Sequence, residues 1–191
     1  MIEDIVNTGK KYQVIYADPP WSYYNDSSTT PDKCGHNVHI NPPYPVLSSK
    51  DIRKIPVKDI TDDTAILLIW TSDYHMEKCM RVIEDWGFTY RTVGFAWQKL
   101  TKQGEPVEMK GGQYTMKSGI ELCLLASKGT PRKLIKSRKV RSFLSSKREH
   151  HSKKPDEVRR RIEEMVKDDL NKIELFARDK FEGWDAWGNE V

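Results

Sequence analysis

The stretch Val14-Ile15-Tyr16-Ala17-Asp18-Pro19-Pro20-Trp21 decides how this chain is read. Its first half is β-branched and aromatic, as a buried strand requires. Its second half breaks that strand with a carboxylate, two prolines and an indole. In an α/β sheet, ligands bind outside the carboxyl ends of the strands, so the order of residues alone sets Asp18 and Trp21 at a candidate site. Prolines have no N–H, which keeps the carbonyls around them out of regular helical pairing. The turn can offer a side-chain acceptor, Asp18, and a backbone acceptor, the Pro19 carbonyl, to one amino group, with Trp21 as a stacking wall. Taken alone, the tetrapeptide also admits the lesser reading of a merely rigid turn with a buried tryptophan, because turns favour these residues.

Working outward, further strands are expected at Thr64–Trp70, Phe88–Trp97, Ile120–Ser127 and Lys172–Ala177, besides Tyr12–Ala17. Thr64–Trp70 is almost continuously apolar, as in a strand covered on both faces. Asp73–Trp86 reads as a helix, with Met76, Cys79, Met80, Ile83 and Trp86 at helical spacing and Gly87 as its stop. A second helix is expected from Pro155 to Lys167, with proline at its first position and Asp156 and Glu157 at its positive end. Alternating strands and helices indicate an α/β sheet domain, and 191 residues suffice for one domain with a real core. Segments at about 22–50 and 100–119 read as long loops, rich in Pro, Gly and polar residues, and loops of that length are often functional.

The net charge is +4, from 32 basic and 28 acidic residues. The distribution is uneven: the segment 128–154 holds eleven lysines and arginines and one acid, Glu149. Such a run attracts polyanions, nucleic acid above all, unless it is merely a solvated loop. No apolar run approaches a membrane span, and the first eleven residues carry acids and no apolar signal core. Three widely separated cysteines fit reduced thiols, so a cytoplasmic protein is expected.

The turn at Asp18 suits transfer to an exocyclic amine. The lone pair of such an amine on adenine is delocalised into the ring. Two acceptors on its hydrogens would localise that pair on nitrogen, and an in-line methyl donor would complete a displacement in which positioning is the main catalytic contribution.

The chain resembles the MT-A70 family of S-adenosylmethionine-dependent adenine N6-methyltransferases. The resemblance rests on Asp18-Pro-Pro-Trp21, Ala65-Ile-Leu-Leu-Ile-Trp70, Trp86-Gly-Phe88, Phe95-Ala-Trp-Gln-Lys99, Glu121-Leu-Cys-Leu-Leu125, Lys154-Pro-Asp-Glu157, Lys172-Ile-Glu-Leu-Phe176 and Trp187-Gly-Asn-Glu190. These follow one another in order from Tyr12 to the end of the chain. The resemblance implies a permuted Rossmann-like methyltransferase fold, with the catalytic-motif strand before the cofactor-motif strand. It also accounts for the lack of a Gly-x-Gly-x-x-Gly fingerprint.

By that resemblance Asp18, Pro19, Pro20 and Trp21 form the catalytic amine pocket, and Tyr44 lines the side of the target base. S-adenosyl-L-methionine is the implied cofactor, held by Asp18, Lys154, Arg178, Asn189 and Glu190, with Asp4 and Ile5 near its adenine. Lys154 would face the methionine carboxylate, and Asn189 and Glu190 the ribose hydroxyls. Where some members carry an asparagine after Arg178, this chain has Asp179-Lys180-Phe181.

A zinc reading of Cys34, His36 and His39, completed by His150 or His151, is set aside because the spacing matches no closed four-ligand site. His75 is expected to have no chemical role, and Trp184 and Trp187 to be core residues. The substrate expected is DNA, with RNA as the alternative for the same reaction, in a bacterial or phage-infected cell. Two other readings are a non-catalytic nucleic-acid-binding partner of an active methyltransferase and a basic DNA-binding module without cofactor. The intact Asp18-Pro-Pro-Trp21, Lys154 and Asn189 argue against the non-catalytic partner. A homodimer, or a heterodimer with another MT-A70-like chain, is the assembly the resemblance suggests, with 100–119 as an interface loop.

Overall fold

In the computed structural model, residues 6–22, 46–108, 119–148 and 153–191 are described. Residues 23–45 and 109–118 lie outside them, and so do Asp4, Ile5, Cys34, His36, His39, Tyr44, His150 and His151.

Seven strands form one sheet: β1 Tyr12–Ala17, β2 Thr61–Thr71, β3 Thr89–Leu100, β4 Ile120–Lys128, β5 Phe143–Lys147, β6 Lys172–Leu175 and β7 Asp185–Trp187. Their spatial order is β5-β3-β4-β2-β1-β6-β7. β4 runs antiparallel to β2 and β3, and every other pairing is parallel. The carboxyl ends of six strands therefore gather at one end of the sheet, with β1 at their centre beside β2 and β6.

Alternation along the central strands fills two cores. Ile15, Ala17, Leu67 and Ile69 point to one face; Val14, Tyr16, Ile66, Leu68 and Trp70 point to the other. This is why Thr64–Trp70 is apolar at nearly every position: each parity has its own buried layer. The first layer is covered by α1 Ser49–Lys54, α2 Val57–Ile60 and α3 Met76–Asp85. The second is covered by α4 Asp156–Met165 and a 3-10 turn at Pro131–Leu134.

Several boundaries differ from the sequence reading. The expected helix 73–86 opens as a 3-10 turn, Asp73–His75, before α3. It stops where Gly87 takes a φ of 82°, a conformation that penalises any Cβ. The loop expected at 22–50 ends early, because Ser48 caps α1 by accepting from the Asp51 N–H at 3.1 Å. α1 and α2 are too short to show helical periodicity. Within the basic segment lies a strand, β5, whose Leu144 is buried while Phe143, Ser145 and Lys147 are exposed. Three serines and the flanking lysines and arginines hide that alternation from a hydropathy reading.

Candidate active site

β1 and β6 are parallel neighbours, with Ala17 opposite Leu175, and the Asp18 N–H donates to the Leu175 carbonyl at 3.4 Å. The catalytic-motif turn and the Phe176–Arg178 segment are therefore adjacent at the same end of the sheet. Asp18, Lys154, Arg159, Glu174, Phe176 and Arg178 border one cleft between them. Phe176 holds a φ of 62°, a left-handed conformation that costs an aromatic residue free energy and that clusters at functional sites.

The Lys154 ammonium lies 2.7 Å from each carboxylate oxygen of Asp18 and 3.2 Å from Glu121. Lys99 pairs with the other oxygen of Glu121. Two ammoniums thus balance two carboxylates in a largely buried cluster. Burial alone would lower the Lys154 ammonium, but Asp18 and Glu121 outweigh it and hold it above the ordinary lysine range. Burial raises the Asp18 carboxyl, helped by the charge of Glu121 and opposed by Lys154. For Glu121, burial pushes upward, but its two lysine partners win and lower it.

The motif is fixed from several directions. The Trp21 N–H donates to the Pro19 carbonyl at 2.9 Å, so one lone pair of the expected amine acceptor is already engaged. The Pro20 carbonyl accepts from Leu47 N–H at 2.9 Å, and the Trp21 indole donates to the Trp70 carbonyl at 2.9 Å. Trp70 in turn donates to the Tyr16 hydroxyl at 2.6 Å and lies 5.5 Å beneath the Lys154 ammonium.

Two residues at the site were missed by sequence reasoning. Glu121, an acid at the start of an otherwise apolar strand, was a readable signal, but only pairing across β4 shows it facing Lys154. His75 is buried, as a core histidine would be, yet it stacks on Trp21 with centroids 5.7 Å apart and planes 18° from parallel. Its Nδ1 lies 2.9 Å from the Ser72 hydroxyl and its Nε2 3.2 Å from the Ser22 carbonyl. An imidazole held at both nitrogens stacks on Trp21, and no sequence spacing announces that.

Of the expected cofactor residues, Lys154 and Arg178 border the cleft. Glu190 reaches Arg178 at 3.7 Å, and Asn189 is exposed beside it. Gly188 makes this turn possible, because a Cβ there would meet the Ala177 carbonyl at 2.2 Å. Phe181 lies with its ring centroid 3.4 Å from the Arg159 guanidinium. Arg159 in turn grips Glu174 through two nitrogens, at 2.6 and 3.1 Å. Trp184 is buried and Trp187 packs against the first core layer, as expected.

A seven-stranded sheet with one reversed strand, helices on both faces and a charged cleft at the carboxyl ends of its central strands defines a Rossmann-like fold of the methyltransferase type. The MT-A70 family model matches residues 12–190, and the chain belongs to that family. It is 40% identical over 195 residues to the type II methyltransferase M.MunI of Mycoplasma sp, covering 95% of this chain and 78% of that relative. It is 26% identical over 183 residues to the human N(6)-adenosine-methyltransferase catalytic subunit METTL3, covering 95% of this chain and 28% of that relative. Human METTL4, an N(6)-adenine-specific methyltransferase, is 24% identical over the whole of this chain, which spans 39% of its length.

Proposed function

We propose that this protein transfers a methyl group from S-adenosylmethionine to the N6 amino group of adenine in DNA. The observation that carries the reading is the Lys154–Asp18–Glu121 cluster beside the diproline turn, whose Asp18 and Lys154 line the same cleft as Phe176 and Arg178. The type II designation of the 40% identical relative favours DNA, and the adenosine- and adenine-specific relatives favour N6 of adenine. The permuted strand order, with β1 carrying the catalytic motif and β6 the cofactor motif, belongs to the same reading.

The residues present fit the cofactor. Lys154 offers a positive charge to its carboxylate, Phe176 an apolar wall, and Arg178, Asn189 and Glu190 polar groups for its hydroxyls. When bound, S-adenosylmethionine supplies an electrophilic methyl on a sulfonium. Asp18 and the Pro19 carbonyl accept the two amino hydrogens, and Trp21, backed by His75, holds the plane of the base. As the new N–C bond would form, the methyl–sulfur bond of the sulfonium would break to leave a neutral thioether, and the amine would have to lose a proton. The Asp18 carboxylate, whose proton affinity burial has raised, is placed to take it. Tyr44 is assigned to the base side on sequence grounds, and Asp4 and Ile5 to the cofactor's adenine.

The test is transfer of tritiated methyl to matched unmethylated DNA and RNA pools, single- and double-stranded, with nucleosides identified by mass spectrometry. N6-methyladenine from DNA, lost in Asp18→Ala, is the expected result. N6-methyladenine from RNA alone would overturn the substrate, and no transfer together with no cofactor binding would overturn the chemistry.

A further inference from the structure

The eleven basic residues that run together in the chain do not form one surface in space. β4 runs against its neighbours, so Lys128 at its end pairs with Ala65, far from Asp18. Arg132 and Lys133 sit on the 3-10 turn that follows. Arg132 and Arg138 border a groove at that far end, floored by Ile66, Leu125 and Ile135. The chain then returns along α4. The Lys136 N–H donates to the Met165 carbonyl at 2.9 Å, and the Arg161 guanidinium holds the carbonyls of Arg141 and Phe143 at 2.8 Å each.

β5 follows as the outer edge of the sheet. Phe143 pairs with Ala96, Ala96 with Leu122, and Leu122 with Thr71. Thr71 stands two residues beyond Ile69, the partner of Ala17. Phe143 is thus level with Pro19, and Lys147 and Arg148 rise beyond it, at the same end as the active site. Phe143 is 58% exposed, more than any other large hydrophobic among the described residues. Arg141, Lys147 and Arg148 are exposed, and none has a carboxylate partner among the described residues.

We propose that Phe143 with Arg141, Lys147 and Arg148 grips the nucleic-acid strand flanking the target base, and that Arg132, Lys133 and Arg138 at the far end take no part. This rests on the nucleic-acid reading of the active site. Unpaired cations neutralise phosphates, and an exposed aromatic offers a stacking face to any base. Four strand spacings separate β5 from β1, roughly 19 Å, which is about five to six nucleotides of a stacked strand.

The experiment measures binding of the full chain to labelled adenine-containing DNA and RNA oligonucleotides by fluorescence anisotropy across a salt series, with methyl transfer in parallel. Two triple variants carry the same charge change: Arg141→Gln/Lys147→Gln/Arg148→Gln at the edge, and Arg132→Gln/Lys133→Gln/Arg138→Gln at the far end. The edge variant is expected to bind at least tenfold more weakly at low salt. The slope of log affinity against log salt should become shallower by about 2 to 3. kcat at saturating oligonucleotide should hold, because these residues do not touch the reacting atoms. The far-end variant should stay within about twofold of wild type. Phe143→Ala should weaken binding roughly 5- to 100-fold, with Phe143→Trp restoring it and Phe143→Leu not. Equal losses from both triples would show a general charge effect and overturn the edge assignment, as would full affinity in the edge variant with an unchanged melting curve. If wild type binds but transfers no methyl, the chemistry fails while the binding arms still judge the edge. If it binds neither DNA nor RNA, the nucleic-acid reading falls, and the edge with it.

Discussion

Two buried ion clusters border the same cleft, and they differ in a way burial does not explain. Lys154 and Arg159 come from one short span, and their side chains are 12% and 11% exposed. Each faces an acid from one of two adjacent parallel strands, Asp18 beyond the end of β1 and Glu174 within β6. The Lys154 ammonium is a compact charge shared between two carboxylates. The Arg159 guanidinium is a planar fork locked on Glu174, joined to Asp156 at 3.2 Å, stacked on Phe181 and 5.9 Å from the Tyr16 ring. A point charge between two acids can change partners; a sandwiched fork cannot without dismantling its aromatic walls. On the proposed reading the first cluster serves the reaction and the second holds α4 against the sheet.

The largest expected effect sits on the first cluster. Asp18→Asn should lower kcat by about 10³- to 10⁴-fold, while a thermal melt moves only a few degrees; activity within tenfold of wild type would break the assignment. Exchanging the cations sharpens the contrast. Lys154→Met should cut kcat/KM by about 10²- to 10³-fold, beyond the stability it costs by stranding Asp18; an added Asp18→Asn should relieve the second loss and not the first. Arg159→Met should instead lose about 3–5 kcal/mol of stability by stranding Glu174, and adding Glu174→Gln should recover most of it. Denaturant titration and initial rates together would show whether the two columns of results stay separate.

A smaller effect follows from proton affinity. The Asp18 carboxylate must be ionised to accept a proton, and its folded-state value is raised. The acid limb of kcat/KM, which reports the free enzyme, should therefore lie above the ordinary aspartate range near 4, and Glu121→Gln, which removes a like charge, should shift it downward. The stability effects have opposite signs. Glu121 is lowered on folding, so its contribution is present above its unfolded value and fades as pH falls through the folded one. Asp18 is raised, so its ionisation costs stability as pH rises. The smallest expected effect is at Trp21: His75→Phe keeps the stack and loses both hydrogen bonds. It should reduce kcat by about two- to tenfold with little change in KM.

How much of this was legible follows from how local each signal is. The central strands, α3, α4 and the Asp18-Pro-Pro-Trp21 turn announce themselves because buried alternation, helical spacing and proline chemistry act over a few neighbours. α1, α2 and β5 did not, since short elements take their identity from what they pack on. Glu121 and His75 entered the site only through partners far away in the chain.

The amino-acid sequence by itself determined an α/β chain with a strand-end carboxylate and diproline turn, and the order of motifs that marks the MT-A70 family. Those features depend on residue type at short separations. Only the tertiary structure decided that Lys154 bridges Asp18 and Glu121, that His75 backs Trp21, and that one basic run is divided between opposite ends of the sheet. Such facts depend on strand direction and register, which are set by how the whole sheet buries its two faces.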